Sequence, residues 1–368
     1  MISKNFFLSL QDIAHERQLN IEALLKKVEF AMGVACKKVE PPYTGDIKVE
    51  VDYEKFEFKV TEYKYVVEEL DPENPVKGQI TLEEAKTLKS RVKVGDTLKT
   101  KVKFEAFNRT AASIFKQNLM AGIKELEREA AFDYFNEKVG EIITAKVVKY
   151  DLGFITFNVG KGCEAHMPDK EALKGETFTP GESKKVYITK VEKGTKGPKI
   201  YLSRAAKEMV KRLFELEIPE IVNGQIEIMG ISRDPGSRTK IGVLSVDGSI
   251  DAKGACVGPN GNRIKAINEA LNGEKIDIFT WRDNPVDLIA EAMLPARVIS
   301  VMPNEKEKQA VVIVTSEQYS LAIGKSGQNA RLAAYAVGWK IDIKKLEDAL
   351  AEGINFKYNV IPAGMKRH

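Results

Sequence analysis

Histidine and cysteine are scarce in this chain of 368 residues, with three of each: His15, His166 and His368, and Cys36, Cys163 and Cys256. The cysteines are far apart, odd in number and outside any Cys-x-x-Cys spacing. That argues against a disulfide framework and a zinc site, and for a reducing compartment. Nucleophile–base pairs and His-rich metal sites have little material to draw on. No apolar run approaches the ~20 residues of a membrane span. Phe6, Phe7 and Leu8 lie near the start, but Gln11, Asp12 and Glu16 follow at once, so the apolar stretch of a secretory signal is missing. Neither Gly-x-x-x-x-Gly-Lys-Ser/Thr nor Gly-x-Gly-x-x-Gly occurs, which removes the two common phosphate-cradling loops. The acidic pairs Glu68/Glu69 and Glu83/Glu84 lie on exposed-looking segments and do not point to a metal-dependent nuclease. The expectation is a cytoplasmic protein without membrane attachment, cofactor, metal or catalysis.

Charge of one sign is also lacking: the net charge is only +4. Residues 1–135 hold 22 Lys+Arg and 23 Asp+Glu, residues 136–206 hold 13 and 9, and residues 207–345 hold 19 and 18. Binding to a polyanion therefore has to rest on local placement of cations, because no global field supplies it.

Residues 1–135 read as an α/β region. Ile21, Leu24, Leu25, Val28 and Met32 recur at helical spacing and predict a helix over 21–39, stopped by Pro41 and Pro42. Alternation over 46–67 predicts strands, residues 71–75 a loop, and 102–107 another strand. A long helix over 109–137, carrying Ile114, Phe115, Leu119, Ile123 and Leu126, links this region to the next. From 136 to 204 the character changes. Segments 142–150, 153–159 and 184–191 read as strands and 199–202 as a short fifth, with Gly160, Gly162, Gly175, Gly181, Gly194 and Gly197 between them. Five short strands in this span fit an OB-type β-barrel.

The strongest signal is an internal repeat. Lys275-Ile276-Asp277-Ile278 returns as Lys340-Ile341-Asp342-Ile343, and Gly258-Pro259-Asn260-Gly261 is answered by Gly324-Lys325-Ser326-Gly327. Each Gly-x-x-Gly stands between a short apolar helical segment and an amphipathic helix, over 262–271 and 328–337. A hairpin precedes each, over 225–246 and 297–314, and a helix precedes each hairpin, over 205–216 and 286–293. The order helix, strand, strand, helix, Gly-x-x-Gly, helix, strand is that of a bacterial-type (type II) KH module, here over 205–284 and 285–346, with 347–368 as a flexible tail.

The chemistry of that turn is legible. Glycine has no Cβ, so a nucleic-acid backbone can approach closely. The following helix starts with unpaired N–H groups and a positive dipole end that attract phosphate. KH modules clamp about four nucleotides there. The alternative is ordinary helix–turn–helix packing in which the glycines only make room. Residues 324–327 carry the cation Lys325, whereas the first turn carries none and Pro259 has no N–H, so the second turn is expected to grip phosphate more strongly. Arg263 and Lys265, and Gln328, Asn329 and Arg331, follow closely and join the candidate RNA contacts. In the barrel, alternation predicts Ile155, Phe157 and Val159 inside and Phe154, Thr156 and Asn158 outside. Phe154 is then a base-stacking candidate or a covered edge residue. His166, Lys161, Lys190 and Arg204 are further candidates for base or phosphate contact, although isolated residues of these types are commonly structural or merely solvated.

In this order and in its local wording the chain resembles the NusA family of bacterial transcription elongation factors. The resemblance is carried by residues 233–241 (Arg-Asp-Pro-Gly-Ser-Arg-Thr-Lys-Ile), 254–261, 273–278 and 322–333, and more loosely by Ala111, Ala112, Lys116 and Gln117. It implies a multidomain α+β protein: an α/β domain over 1–135 that docks on RNA polymerase, an S1 barrel, and two KH modules that hold nascent single-stranded RNA. It also implies work in hairpin pausing, intrinsic termination and antitermination, alongside other antitermination factors and as a monomer. The chain departs from the family pattern at Asn260, where a basic residue is usual, and at Leu152, where many S1 domains carry an aromatic. The acidic C-terminal repeats of some relatives are expected to be absent. A ribosome-associated or RNA-processing S1/KH protein is the alternative.

Overall fold

The computed structural model describes residues 4–39, 43–52, 55–70, 76–102 and 108–360. They form two compact units, one of residues 1–134 with 193–198, the other of 135–192 with 199–368.

In the first unit, α1 (Lys4–Glu16) and α2 (Ile21–Cys36) pack as a pair. Asn20 caps α2, its side chain accepting from the N–H groups of Glu22 and Ala23. Phe7, Leu10 and Ala14 of α1 bury against Leu24, Val28 and Ala31 of α2. β1 (Asp46–Asp52) and β2 (Glu57–Val67) are antiparallel. β3 (Gln79–Thr81) pairs with β2, and Thr81 and Glu84 form a reciprocal capping box at the start of α3 (Leu82–Leu88). β4 (Thr97–Lys101) also pairs with β2, and the 29-residue α4 (Arg109–Glu137) follows. At 1.5 Å per residue α4 is about 44 Å long. Leu119, Ile123 and Leu126 of α4 complete the core around Phe58. The strand expected over 102–107 falls mostly outside the described residues, as do Pro41, Pro42 and the loop 71–75; the observed edge strand is β4.

The second unit begins with a closed barrel in the order β5-β6-β7-β9-β8. Its strands are β5 (Ile142–Asp151), β6 (Phe154–Gly160), β7 (Cys163–Pro168), β8 (Ser183–Gly194) and β9 (Gly197–Ser203). Ala145, Val147, Ile155, Phe157, Ala165, Met167, Val186, Ile188, Ile200 and Leu202 fill it. The strand not located from sequence is β7; its run Cys-Glu-Ala-His-Met-Pro has little intrinsic strand preference, and its pairing with β6 decides its conformation.

Two modules of one topology follow. The first is α5 (Lys207–Glu217), α6 (Pro219–Val222), β10 (Ile226–Asp234), β11 (Arg238–Ser245), α7 (Ala252–Val257), α8 (Asn262–Ala270) and β12 (Lys275–Thr280). The second is α9 (Pro285–Ala292), β13 (Ser300–Asn304), β14 (Gln309–Val314), α10 (Ser316–Ile323), α11 (Gln328–Val337) and β15 (Lys340–Lys345). In both, the middle strand pairs antiparallel with its hairpin partner and parallel with the last strand.

The tail needs correction. Residues 346–360 are not a loose extension: α12 (Leu346–Ala351) forms, and the Asn359 side chain accepts from the N–H of Val301 at 2.9 Å and donates to its carbonyl at 2.7 Å. One amide thereby replaces a neighbouring strand on the edge of β13. Residues 361–368 lie outside the described residues.

Candidate nucleic-acid interface

The two Gly-x-x-Gly turns have nearly the same backbone. Gly258 and Gly324 sit at φ/ψ of 75/170 and 75/174, Asn260 and Ser326 at 52/20 and 52/33, and Gly261 and Gly327 at 72/19 and 74/12. Within each turn the two glycines are glycine for different reasons. A Cβ on Gly258 would stand 2.7 Å from Arg263 Cγ, and one on Gly324 would stand 2.8 Å from Asn329 N. The first glycine thus lets the next helix fold back on the turn. A Cβ on Gly261 would meet only Ile264 Cγ2, at 3.9 Å, and one on Gly327 would meet nothing within 4 Å. The positive φ favours glycine there, and the space beside it, at the start of α8 and of α11, is open to an incoming backbone. Asn260 in the first turn tolerates the left-handed region better than most side chains.

The flanking candidates divide into two kinds. Lys265 and Arg331 are exposed in the first turns of α8 and α11, and Lys325 is exposed in the turn just before α11. Lys265 and Arg331 occupy matching positions, four residues past the second glycine. Arg263 and Asn329, matching positions two residues past it, are both tied to the protein; burial corrects the reading of Asn329 as an RNA contact, whereas a quarter of the Arg263 side chain stays exposed. Arg263 NH1 donates to Ala255 O at 2.8 Å and to both Glu220 carboxylate oxygens, at 3.1 and 2.9 Å. Asn329 is buried and its Nδ2 donates to Ala322 O and Met293 O, at 3.0 and 3.1 Å. Each holds the end of the preceding helix against the turn. Arg204 is likewise corrected: it is 1% exposed, and its guanidinium is divided among Glu176, Lys185 O and Ala270 O. It joins the barrel to the first module and faces no solvent.

On the barrel, Phe154 is 50% exposed and Ile155 and Phe157 are inside, as alternation predicts. Thr156 is not outside: it is buried, and its hydroxyl is 3.0 Å from His166 Nδ1 on the paired strand. The exposed His166 ring covers it, and His166 in turn pairs with Tyr201 of β9, which is 41% exposed. Phe154, His166 and Tyr201 therefore line adjacent strands as an aromatic strip suited to stacked bases. Tyr201 was missed from sequence, as was Tyr150, 55% exposed, whose hydroxyl donates to Asp169 at 2.9 Å. A Tyr or His at an outward position of each strand was the available signal. Lys161 is exposed in the β6–β7 turn, at the far end of β6 from Phe154, and Lys190 is held by Glu192 at 2.5 Å.

The two most distinctive sequence stretches turn out to be each other's partners. Glu274 is fully buried and accepts from Arg233 Nε at 2.9 Å and NH2 at 2.8 Å, from the N–H of Gly236 at 2.8 Å and from the Thr239 hydroxyl at 2.5 Å. Asp277, in register with Lys240 on the parallel strand, binds Arg238 through both oxygens and lies 3.3 Å from Lys240 Nζ. The Asp277 hydrogen bond holds the Arg238 pKa up, while burial pushes that of Lys240 down against the same carboxylate. Lys240 also donates to Leu294 O in the second module at 2.6 Å. The β10–β11 turn, residues 234–237, is thereby held rigidly by ion pairs from inside.

Among the described residues no group of three or more His, Cys, Asp and Glu side chains is placed to hold a metal ion, and no helix is long and apolar enough to cross a membrane.

Three family models match the chain. Residues 5–129 match the NusA N-terminal domain, 204–281 the NusA-like first KH domain, and 285–351 the NusA-like second KH domain. Among curated relatives, a transcription termination/antitermination protein NusA of Bacillus subtilis is 40% identical over 94% of this chain and 92% of its own length. Proteins of the same name from Halalkalibacterium halodurans and Thermus thermophilus are 38% and 34% identical, over 96% and 94% of this chain and 91% of each of theirs.

Proposed function

The chain belongs to the NusA family, and from that premise we propose that it acts in transcription termination and antitermination by holding nascent single-stranded RNA beside RNA polymerase. The reading is carried by the open space at Gly261 and Gly327, each at the start of a helix in a KH module. Phosphates settle at those helix starts, drawn by free N–H groups and the positive dipole end. Lys325 and Arg331 strengthen the second clamp, and Lys265, with the ion-paired Arg263, serves the first. Bases stack on Phe154, His166 and Tyr201 of the S1 barrel.

Residues 1–135 dock on the polymerase and tether the RNA modules near emerging transcript. Tethering raises their effective concentration, so contacts that are weak and sequence-tolerant become decisive. The protein works as a monomer in the bacterial cytoplasm, with other antitermination factors, and through binding alone. The test is pause lifetime on a hairpin-pause template with purified bacterial polymerase. The full chain lengthens the pause and a chain lacking residues 1–135 does not. If both bind RNA and neither changes the pause, the transcription role falls.

A further inference from the structure

The clamp helix of the second KH module is held at both ends by the hairpin of the first. At its start, Gln328, the residue directly after Gly327, donates from Nε2 to Asp234 Oδ2 at 2.6 Å and to Ser237 Oγ at 2.8 Å. One turn on, Arg331 NH2 lies 3.7 Å from the same Asp234 oxygen, both side chains being about half exposed. At its far end, the carbonyl of Ala336 rests on Gly230, where a Cβ would stand only 2.1 Å from the oxygen. That glycine lies at the irregularity in β10 between Ile228 and Gly230. The turn that carries Asp234 and Ser237 is itself fixed, by the four donors on Glu274 and by Gly236 fitting against the Lys174 backbone of the barrel, where a Cβ would meet N at 2.5 Å.

We infer that Asp234 is a positioning residue for the second clamp and a competitor of RNA phosphate for Arg331. This rests on the reading of residues 324–327 as an RNA clamp. Asp234 does two things of opposite sign. Its carboxylate fixes the Gln328 side chain and with it the start of α11, where the N–H groups that receive phosphate emerge. It also neutralises Arg331 while no RNA is present. An arriving phosphate takes Arg331 over, and Asp234 keeps Gln328, so the clamp stays formed while its cation changes partner. A carboxylate beside the clamp also repels phosphates that arrive out of register, which confines the RNA backbone to the open side at Gly327.

The opposite signs make the inference testable with the full chain and a labelled single-stranded RNA of mixed sequence, titrated at several salt concentrations. Simple charge repulsion by Asp234 predicts that Asp234→Ala binds RNA more tightly. Positioning predicts that it binds about fivefold more weakly, the scale of one lost hydrogen bond, that Gln328→Ala does the same, and that the double variant is no worse than either single. Asp234→Asn keeps an acceptor for Gln328 and frees Arg331. It restores wild-type affinity or better, because Arg331 no longer has to leave a carboxylate before it meets phosphate. Tighter binding by Asp234→Ala, or losses that multiply in the double variant, overturns the inference while RNA binding by the clamp stands. Unchanged affinity in Gly327→Asp would remove the clamp itself and the inference with it.

Discussion

Replacing Glu274 by leucine is the most demanding perturbation of the RNA-binding half of the molecule. The side chain is fully buried, as is Thr239, and the side chain of its ion-pair partner Arg233 is 2% exposed. Leucine removes the acceptor of five hydrogen bonds: three from Arg233, one from the Gly236 N–H and one from the Thr239 hydroxyl. Stranding a buried cation costs about 3 to 5 kcal/mol. Each stranded neutral donor adds about 1 to 3 kcal/mol. These losses overlap as the site relaxes, and we expect a total of ~5 kcal/mol. The chain's two tryptophans, Trp281 and Trp339, both pack in the core of the KH pair, so their fluorescence follows this half alone. At a urea slope of about 2 kcal/mol per molar, the midpoint falls by about 2.5 M. A fall of less than about 0.5 M would refute the estimate of how far this charge is desolvated. The companion variant Arg233→Met with Glu274→Leu leaves no orphaned charge and recovers more than half of the loss. A double variant as unstable as Glu274→Leu alone would show that the damage comes from misfit at position 274 and not from the stranded guanidinium.

Gly327→Asp reduces RNA affinity more than Gly261→Asp does, because Lys325 and Arg331 stand at the second clamp; titration with single-stranded RNA reads this, and the reverse order contradicts it. Gly258→Ala and Gly324→Ala act differently, lowering the melting temperature of the KH pair by clashing at 2.7 and 2.8 Å. Gly230→Val drives carbons into the Ala336 carbonyl and destabilises the joint between the modules by upwards of about 3 kcal/mol, read by the same tryptophan fluorescence. Burial pushes the thiols of Cys36 and Cys256 up to about 11 and about 12, and raises that of the half-buried Cys163 as well, but without enclosing it. At mildly alkaline pH a thiol reagent titrates Cys163 alone in the native chain, with the other two reacting only in denaturant.

The sequence disclosed the elements whose signal is local. The helix over 109–137, the two hairpins and both Gly-x-x-Gly turns rest on periodicity and glycine placement, and their observed bounds fall within a few residues of those expected. Partnership was not legible. Arg204 and Arg263 are arginines near a binding surface, and only the folded chain reveals Glu176 and Glu220 waiting for them. Thr156 obeys strand alternation and is still buried, because His166 on the next strand lies over it. Asn359 gave no signal, since one side chain closing a strand edge has no period. For Arg263 a signal did exist. The repeat aligns it with an uncharged asparagine, and a position that exchanges a cation for an amide serves geometry before charge.

Written as a sequence, the second KH module is a copy of the first; assembled, the two are not interchangeable. Gln328 needs Asp234, Ala336 needs the bare backbone at Gly230, and Lys240 needs Leu294 O. These dependencies run across the joint in one order only. Reversing the modules, or separating them, would cost Lys240 its carbonyl at Leu294, Asp234 its amide partner and Gln328 its acceptors. The smallest transplantable piece is accordingly the pair, and an engineer who wants a single clamp must first rebuild the surface it leans on.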